Sequence, residues 1–228
     1  MAERSVVGST TLLVQFAKSP LHGAVKTRMQ PTLSPAESLT LHCELMVWTT
    51  RRLLDAGLGD VQLHVAGALD HPLLSQLLSL GLDCVLPQRG VDLGERMCAA
   101  LITGLESFDR VVLIGSDCPA IDRAYLHAAV HALQSTDVVI GPAMDGGYVL
   151  VGARRIESAI FTDIDWGSER VLAQTARRLD ASSLTWQRLA PLCDIDRPRD
   201  LPHWQALRAS EPTLAVVPWP LSREIVER

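Results

Sequence analysis

Short apolar runs alternate with longer stretches of helical spacing along most of this chain. The runs Leu12–Ala17, Val61–Ala66 and Arg110–Ile114 have the composition of strands, and the third is continuous enough to be buried on both faces of a sheet. Between them, Pro35–Ala56 and Leu93–Leu105 place apolar residues at helical intervals. This alternation predicts a three-layer α/β/α fold, in which helices cover both faces of a mainly parallel, mixed sheet.

The second half of the chain continues the alternation as far as residue 210. Ser34, Asp122 and Ser168 are predicted helix N-caps. The segment 211–228 carries three prolines and breaks the pattern, so we predict one domain over residues 1–210 and a C-terminal tail. The other predicted elements are helices over Pro72–Leu80, Asp122–Leu133, Ser168–Leu179 and Pro198–Ala209, and strands over Leu82–Leu86, Asp137–Ile140, Tyr148–Val151 and Ser183–Leu189.

Composition supports a packed core and narrows the classes of function. Of the 228 residues, 47% are hydrophobic, and the net charge of −5 argues against a surface that tracks nucleic-acid phosphates. The apolar runs are too short to span a bilayer, and the N-terminal residues show no signal-peptide pattern. The five cysteines are scattered without a C-x-x-C pair, which favours free thiols and a cytoplasmic protein.

Three cations follow the first predicted strand. Lys18, Lys26 and Arg28 share one loop with Gly23, which allows close backbone approach, and Thr27, which adds a hydroxyl. Lysines and an arginine fork can bind a diphosphate or triphosphate, although the segment is not a Walker P-loop. Because ligands of open α/β sheets bind at the carboxyl ends of strands, we predict a phosphate site here. The alternative is a solvated surface loop.

Aspartates follow later strands at the same predicted edge of the sheet. Asp117 comes directly after Arg110–Ile114, and Asp194 and Asp196 follow the last predicted strand. Carboxylates in such positions can hold Mg²⁺ or Mn²⁺, which would bridge phosphate oxygens. The alternative is that these aspartates cap the turn or helix that comes next.

Two further segments are candidates for binding a second substrate. Asp145 is followed by Gly146, Gly147 and Tyr148, where paired glycines indicate either backbone packed against a ligand or the turn of a hairpin. Trp166 lies just ahead of a predicted helix and is a candidate wall of an acceptor pocket.

The start of the helix Leu93–Leu105 is a candidate for binding the nucleotide. Glu95 and Arg96 lie in its first turn, and a helix N-terminus suits an anion or the edge of a base. The seven histidines show neither metal-ligand nor triad spacing, so none of them is assigned a role.

Six motifs stand in order between Leu12 and Leu201, nearly the whole chain. They read FAKSPLHGAVKTR, DLGERM, GSDCP, GPAMDGGY, WGS and DID. Together they resemble a bacterial glycosyltransferase-like family, some members of which are labelled arsenosugar-biosynthesis glycosyltransferases. That family belongs to the nucleotide-diphospho-sugar transferase superfamily, whose Rossmann-like fold is called GT-A. The superfamily also includes molybdenum-cofactor and phospholactate nucleotidyltransferases.

The resemblance implies a role for most of these candidate residues. It implies that Lys18, Lys26 and Arg28 bind the nucleotide phosphates. Asp117 would bind the metal together with Asp196 and Asp194, and Asp145 to Tyr148 would form the acceptor side of the site. Family members usually continue DIDTPEDL, whereas Arg197 and Arg199 here replace the threonine and the glutamate. Met29 replaces a leucine that usually follows KTR.

The expected partners are a nucleotide or nucleotide-sugar and a small-molecule acceptor, and a homodimer is left open. The first hypothesis is glycosyl transfer from a nucleotide-sugar, with a metal on Asp117 stabilising the departing diphosphate and Asp145 as a weak candidate for the base. The alternative is nucleotidyl transfer, in which a phosphorylated acceptor attacks the α-phosphate of a nucleoside triphosphate and pyrophosphate leaves. A third, less favoured hypothesis is a non-catalytic nucleotide-binding module.

Overall fold

A seven-stranded sheet forms the centre of the computed structural model, which describes residues 10–215. The strands are β1 (Thr11–Lys18), β2 (Asp60–Ala66), β3 (Cys84–Pro87), β4 (Arg110–Gly115), β5 (Val138–Pro142), β6 (Tyr148–Ala153) and β7 (Trp186–Arg188). Their order across the sheet is β3-β2-β1-β4-β6-β5-β7. Strand β6 is antiparallel to β4 and β5, and the other pairs are parallel.

Helices connect most of the strands. They are α1 (Pro35–Ala56), α2 (Pro72–Ser79), α3 (Leu93–Leu105), α4 (Arg123–Ala132), α5 (Val171–Asp180), α6 (Leu201–Ser210) and α7 (Pro212–Ala215), with 3₁₀ turns at Thr27–Met29, Ser158–Phe161 and Pro198–Asp200. Ser34 and Glu37 form a reciprocal capping box at the start of α1, and Asp122 caps α4. Among residues 10–215 no helix combines the length and the apolar character that a membrane crossing requires.

Alternate residues of the central strands pack into two separate layers. Leu13 of β1 and Val112 of β4 belong to the buried cluster that also includes side chains of α1, α2 and α4. Their neighbours Leu12 and Val111 belong to a second cluster with side chains of α3 and α5. Burial of both faces explains the continuous apolar runs of these strands. The three-layer α/β/α prediction is confirmed.

The strand order places four loops at one edge of the sheet. The chain runs outward from β1 to β3 and then crosses back to form β4 on the other side of β1, so the loops after β1 and β4 meet at this reversal. Since β5 and β7 run parallel to β4, their carboxyl ends lie at the same edge. Such a position is where open α/β sheets bind their ligands.

A third buried cluster attaches the C-terminal helices to α1. Met29, Trp48, Ile195 and Trp204 belong to it, and the two indole rings meet edge to face with centroids 5.0 Å apart. Met29 follows the cationic loop and Ile195 separates two of the predicted site aspartates. Helix α6 therefore supports both segments from outside the sheet.

Three sequence-based predictions need correction. Ser168 does not cap a helix: α5 begins three residues later, and the Ser168 hydroxyl accepts only from the Arg170 N–H in a local turn. The last strand is limited to Trp186–Arg188, and the predicted helix over Pro198–Ala209 divides into a 3₁₀ turn and α6. Of the predicted tail, residues 216–228 lie outside the described part, so the domain boundary at 210 stays a prediction.

Candidate active site

One cleft opens where the carboxyl ends of β1, β4, β5 and β7 converge. It contains a cavity of about 660 Å³ beside the loop after β1 and one of about 230 Å³ beside the β5–β6 turn. We call them the cationic half and the aromatic half. Residues that line both are Arg28, Leu93, Gly115, Asp117, Asp145 and Asp194. The cationic half adds Lys18, Lys26, Thr27, His42, Gln88, Arg96 and Asp196, and the aromatic half adds Gly147, Tyr148, Trp166, Ser168 and Val171.

Lys26 joins the cationic loop to both aspartate segments. Its Nζ lies 2.8 Å from Asp117 Oδ1 and donates to the Ile195 carbonyl oxygen, and its side chain is only 2% exposed. The backbone of Lys26 has a φ of 50°, a conformation uncommon for a long side chain that these contacts hold in place. In this structure the Lys26 ammonium is directed at Asp117, and its predicted contact with phosphate stays a prediction.

Asp117 is anchored on one side and open on the other. Its Oδ1 atom is buried against Lys26, whereas 45% of the whole side chain is exposed, so the rest of the carboxylate is available to a ligand. Burial raises the pKa of Asp117, but Lys26, together with His42 and Lys18, more than offsets that effect and leaves the pKa below its usual value. The group is therefore a carboxylate at neutral pH.

Four aspartates converge on this cleft. Asp196 pairs with Arg28 at 2.8 Å, a contact that raises the pKa of the guanidinium. Asp194 is more crowded: burial and repulsion from Asp145, Asp196 and Asp117 raise its pKa to about 6. Negative charge is therefore concentrated around Asp194, opposite the cations of the loop.

The helix-cap alternative does not describe Asp194 and Asp196. The carboxylate of Asp200 accepts from the N–H groups of Asp196 and Arg197 and so caps the turn that precedes α6. The Asp196 carboxylate is left to pair with Arg28.

Two cations of the cationic half, Lys18 and Arg96, have no carboxylate within ion-pair distance in the described part of the chain. Arg96 is oriented by a 3.0 Å hydrogen bond from its Nε to the Gly90 carbonyl. His42 lies beneath Lys18, with Nε2 3.0 Å from the Lys18 carbonyl oxygen. Burial lowers the pKa of His42, so a neutral imidazole donates to this carbonyl. Lys18 and Arg96 are thus available to bind an anionic ligand.

Helix α1 fixes the loop that carries Asp117 from both sides. Trp48 Nε1 donates to the Pro119 carbonyl at 2.9 Å, and the Thr49 hydroxyl donates to the Ser116 carbonyl at 3.2 Å. From β1, the buried Gln15 amide donates to the Ser116 hydroxyl at 2.9 Å. These buried hydrogen bonds restrict the position of Asp117 to a narrow range.

The four aspartates are suitable ligands for a hard divalent cation, although their carboxylates do not surround one point. Carboxylate oxygens are preferred ligands of Mg²⁺ and Mn²⁺, and such an ion would relieve the repulsion from neighbouring aspartates that, after burial, raises the pKa of Asp194. Within residues 10–215, however, no three His, Cys, Asp or Glu side chains lie close enough together to hold a metal ion. The donor types fit the group, although fewer than three of the described donors lie within reach of one point, and the predicted metal stays a prediction.

The aromatic half has a wall formed by Trp166. The ring packs edge to face on Tyr148 at 6.3 Å and lies 6.4 Å from Phe161. A β-carbon at Gly94 of α3 would stand 2.6 Å from the indole Cζ2, so only glycine leaves room for the ring. On the opposite side, Asp145 Oδ1 accepts from the Gly147 N–H at 3.0 Å in a tight turn.

Three predicted site residues lie apart from these two cavities. Gly23 is exposed, and its φ of 73° serves the loop itself. Gly146 packs on its own chain, because a β-carbon there would stand 2.1 Å from the Glu169 carbonyl oxygen. Glu95 faces away from the cleft and accepts from the Val91 N–H at 3.0 Å, which completes the cap of α3.

Sequence reasoning missed several residues that line the cleft. His42 shows neither metal-ligand nor triad spacing in the sequence, yet it lines the cationic half. Gln88 follows β3, and its amide donates to the carbonyls of Ala17 and His64, where it links the ends of three strands. Leu93 is 44% exposed at the cleft. The sequence does not show this, because a leucine at the start of a helix is expected to pack in the core.

Comparison with known proteins identifies relatives of this chain. The family described as uncharacterized protein conserved in bacteria (DUF2064) matches residues 49–168. The 2-phospho-L-lactate guanylyltransferase of Methanothermobacter thermautotrophicus is 33% identical over 126 residues, which are 54% of this chain and 53% of that enzyme. The chain thus matches only about half the length of this curated relative.

Solved structures confirm the predicted fold family. A Desulfovibrio desulfuricans G20 protein, provisionally called a nucleotide-diphospho-sugar transferase, superposes with a TM-score of 0.78 and 27% identity over 91% of this chain and 97% of its own. The CMP:2-keto-3-deoxy-manno-octonic acid synthetase, solved with CTP, superposes with a TM-score of 0.56 and 13% identity over 89% of this chain and 100% of its own. At this identity the similarity shows the fold alone. These relatives support the superfamily, whereas the narrower arsenosugar label finds no support among them.

Proposed function

This chain belongs to the DUF2064 family, and from that premise we propose that it is a nucleotidyltransferase acting on a phosphorylated small molecule. The nucleoside triphosphate would bind in the cationic half and the acceptor in the aromatic half. The relative in support of this proposal is a guanylyltransferase, so GTP is the first nucleotide to test. Glycosyl transfer, the first hypothesis from sequence, becomes the second candidate.

The observation that carries the proposal is the charge of the cationic half. Lys18, Arg28 and Arg96 line one cavity of about 660 Å³, and Lys18 and Arg96 have no carboxylate partner in the described chain. Three phosphates bring up to four negative charges, which lysine and arginine donors can bind with charge-assisted hydrogen bonds. Four aspartates line the same cavity, so it is the two cations without a carboxylate partner, Lys18 and Arg96, that support binding of the nucleotide phosphates.

Nucleotidyl transfer to a phosphorylated acceptor needs no general base. A phosphate oxygen of the acceptor is already anionic, so it attacks the α-phosphorus without losing a proton. The new P–O bond forms while the bond to the β-phosphate oxygen breaks, and pyrophosphate leaves with the electron pair. Arg28 lines both halves, so it is placed to hold the attacking and the attacked phosphates together.

A divalent cation belongs to this proposal. Asp117 and Asp194 would hold it, since the carboxylate of Asp117 is half exposed and Asp194 pairs with no cation in the described chain, whereas Asp196 is engaged by Arg28. When bound, such an ion neutralises phosphate charge. Lys26 keeps Asp117 oriented toward the cleft, and the hydrogen bonds from α1 keep the loop rigid.

Glycosyl transfer is retained because of one relative. The D. desulfuricans G20 protein covers nearly the whole chain and is provisionally called a nucleotide-diphospho-sugar transferase. The two reactions release different products: nucleotidyl transfer releases pyrophosphate from a triphosphate, whereas glycosyl transfer releases a nucleoside diphosphate from a nucleotide-sugar.

The test is to incubate the purified full chain with Mg²⁺ or Mn²⁺ and each donor in turn. Nucleoside triphosphates, GTP first, are offered with a panel of phosphorylated acceptors, and GDP- and UDP-sugars with neutral sugars. We expect acceptor-dependent pyrophosphate release that stops when EDTA removes the metal and resumes when Mg²⁺ is restored. Nucleoside diphosphate release from a nucleotide-sugar without any pyrophosphate formation would overturn the proposal in favour of glycosyl transfer.

A further inference from the structure

The charge of the aromatic half restricts the acceptor. Among the described residues that line it, Arg28 is the one cation, and it faces the carboxylates of Asp117, Asp145 and Asp194. A phosphate or carboxylate of the acceptor can pair with the Arg28 fork. With a divalent cation on Asp117 and Asp194 engaged by the triphosphate, a second anionic group of the acceptor would find no further cationic side chain and would meet the carboxylate of Asp145, an arrangement that disfavours binding.

Several of the other residues that line this cavity are apolar. Tyr148, Val149, Trp166 and Val171 line it, and Leu93 adds an exposed aliphatic side chain. The Trp166 ring cannot retreat toward α3, because it already rests on the backbone at Gly94. An apolar or ring-bearing body gains dispersion and stacking contacts against such a wall, whereas a fully hydroxylated one gains less.

Trp166 also separates two cavities. Beyond it lies a groove of about 620 Å³ between α3 and the Ser158–Phe161 turn, and Trp166 lines this groove as well as the aromatic half of about 230 Å³. The indole is therefore a partition. Its removal would join a small cavity to one more than twice as large.

We infer that the acceptor is a small molecule with one anionic group on an apolar or ring-bearing body, and that Trp166 sets the upper limit of its size. The inference rests on the proposed nucleotidyl transfer. It distinguishes this chain from its guanylyltransferase relative, whose named substrate, 2-phospho-L-lactate, carries a carboxylate beside its phosphate.

The test compares three acceptor probes with GTP: phenyl phosphate, 4-biphenylyl phosphate and 2-phospho-L-lactate. For the unmodified chain we expect transfer to phenyl phosphate with a KM about tenfold below that for 2-phospho-L-lactate, the ratio that a single lost ion pair or stacking contact gives. Transfer to 4-biphenylyl phosphate should be weak, because the second ring meets Trp166.

Trp166→Ala should reverse the preference for size. In this variant we expect KM for phenyl phosphate to rise about tenfold and transfer to 4-biphenylyl phosphate to increase. Trp166→Phe should still prefer phenyl phosphate to 4-biphenylyl phosphate. Gly94→Ala should push the indole into the cavity and weaken phenyl phosphate as well. Trp186→Phe, on the distant strand β7, controls for the loss of an indole as such.

The outcomes separate this inference from the proposed function. Binding of GTP is measured alone by calorimetry, and absence of binding together with absence of pyrophosphate release contradicts the proposed function itself. Transfer that prefers 2-phospho-L-lactate, or a size preference unchanged in Trp166→Ala, overturns the inference while the nucleotidyl transfer stands.

Discussion

The two halves of the cleft are held in place by different forces. In the cationic half, Lys26 and Arg28 pair with aspartates from two other loops, and buried hydrogen bonds from α1 fix the carbonyls on both sides of Asp117. In the aromatic half, Trp166 is held by ring packing and by the absence of a side chain at Gly94. Charge pairing demands specific partners, whereas ring packing tolerates substitution of similar shape.

This difference teaches where specificity can change. In a cavity built from ion pairs, removal of one charged side chain leaves its partner unpaired. The cationic half should therefore be restricted to one kind of ligand. A cavity walled by one indole can be reshaped by a single substitution. We therefore expect substitutions in the first to affect every reaction and those in the second to affect the choice of acceptor.

The largest effect is expected at the centre of the cationic half. Asp117→Asn should lower turnover about 100- to 1,000-fold with every acceptor, as loss of a preorganised charged group does. It should also lower the free energy of unfolding by about 1–3 kcal/mol, because the buried Lys26 ammonium loses its carboxylate while the open side of Asp117 admits some water. Steady-state kinetics and denaturant unfolding measure the two effects.

The matched control is the double variant Lys26→Met, Asp117→Asn. Removing both charges should restore part of the lost stability but none of the activity, since an unpaired buried charge costs more than no charge. If the double variant regained turnover, Asp117 would have no role beyond its pairing with Lys26.

The pair Lys18 and Arg28 tests the boundary between the halves. Lys18 lines only the cationic half, so Lys18→Ala should raise KM for the nucleotide about tenfold and leave KM for the acceptor unchanged. Arg28 lines both, and Arg28→Lys should raise both constants by about the same factor, because an ammonium cannot reproduce the two-oxygen grip of a guanidinium. Equal effects of the two variants on the acceptor would abolish the distinction between the halves.

How much of this could be predicted depends on the range of the interactions. The bounds of α1 and α3 follow from local periodicity and caps, and both helices are where the pattern places them. The position of Asp117, Asp194 and Asp196 at one edge of the sheet could be predicted, because each follows the carboxyl end of a predicted strand. The burial of Lys26 could not be predicted, because its partners stand far away in the chain and no local pattern distinguishes a buried lysine from a solvated one.

The smallest effect is expected at a residue for which the sequence suggested a larger one. Glu95 and Arg96 are adjacent in the first turn of α3, yet they point in different directions: Arg96 lines the cationic half, and Glu95 accepts from the Val91 N–H outside it. Glu95→Gln should change KM for the nucleotide less than about twofold and cost about 0.5–1 kcal/mol of stability through the weaker cap.

Arg96→Gln is the natural comparison, since it removes a charge from the next residue of the same turn. We expect it to raise KM for the nucleotide about tenfold with little change in stability, the reverse of the Glu95 result. Nucleotide affinity by calorimetry and thermal unfolding measure both variants side by side. A Glu95 effect on affinity as large as that of Arg96 would mean that the nucleotide extends over the start of α3, beyond the cavity that the cations enclose.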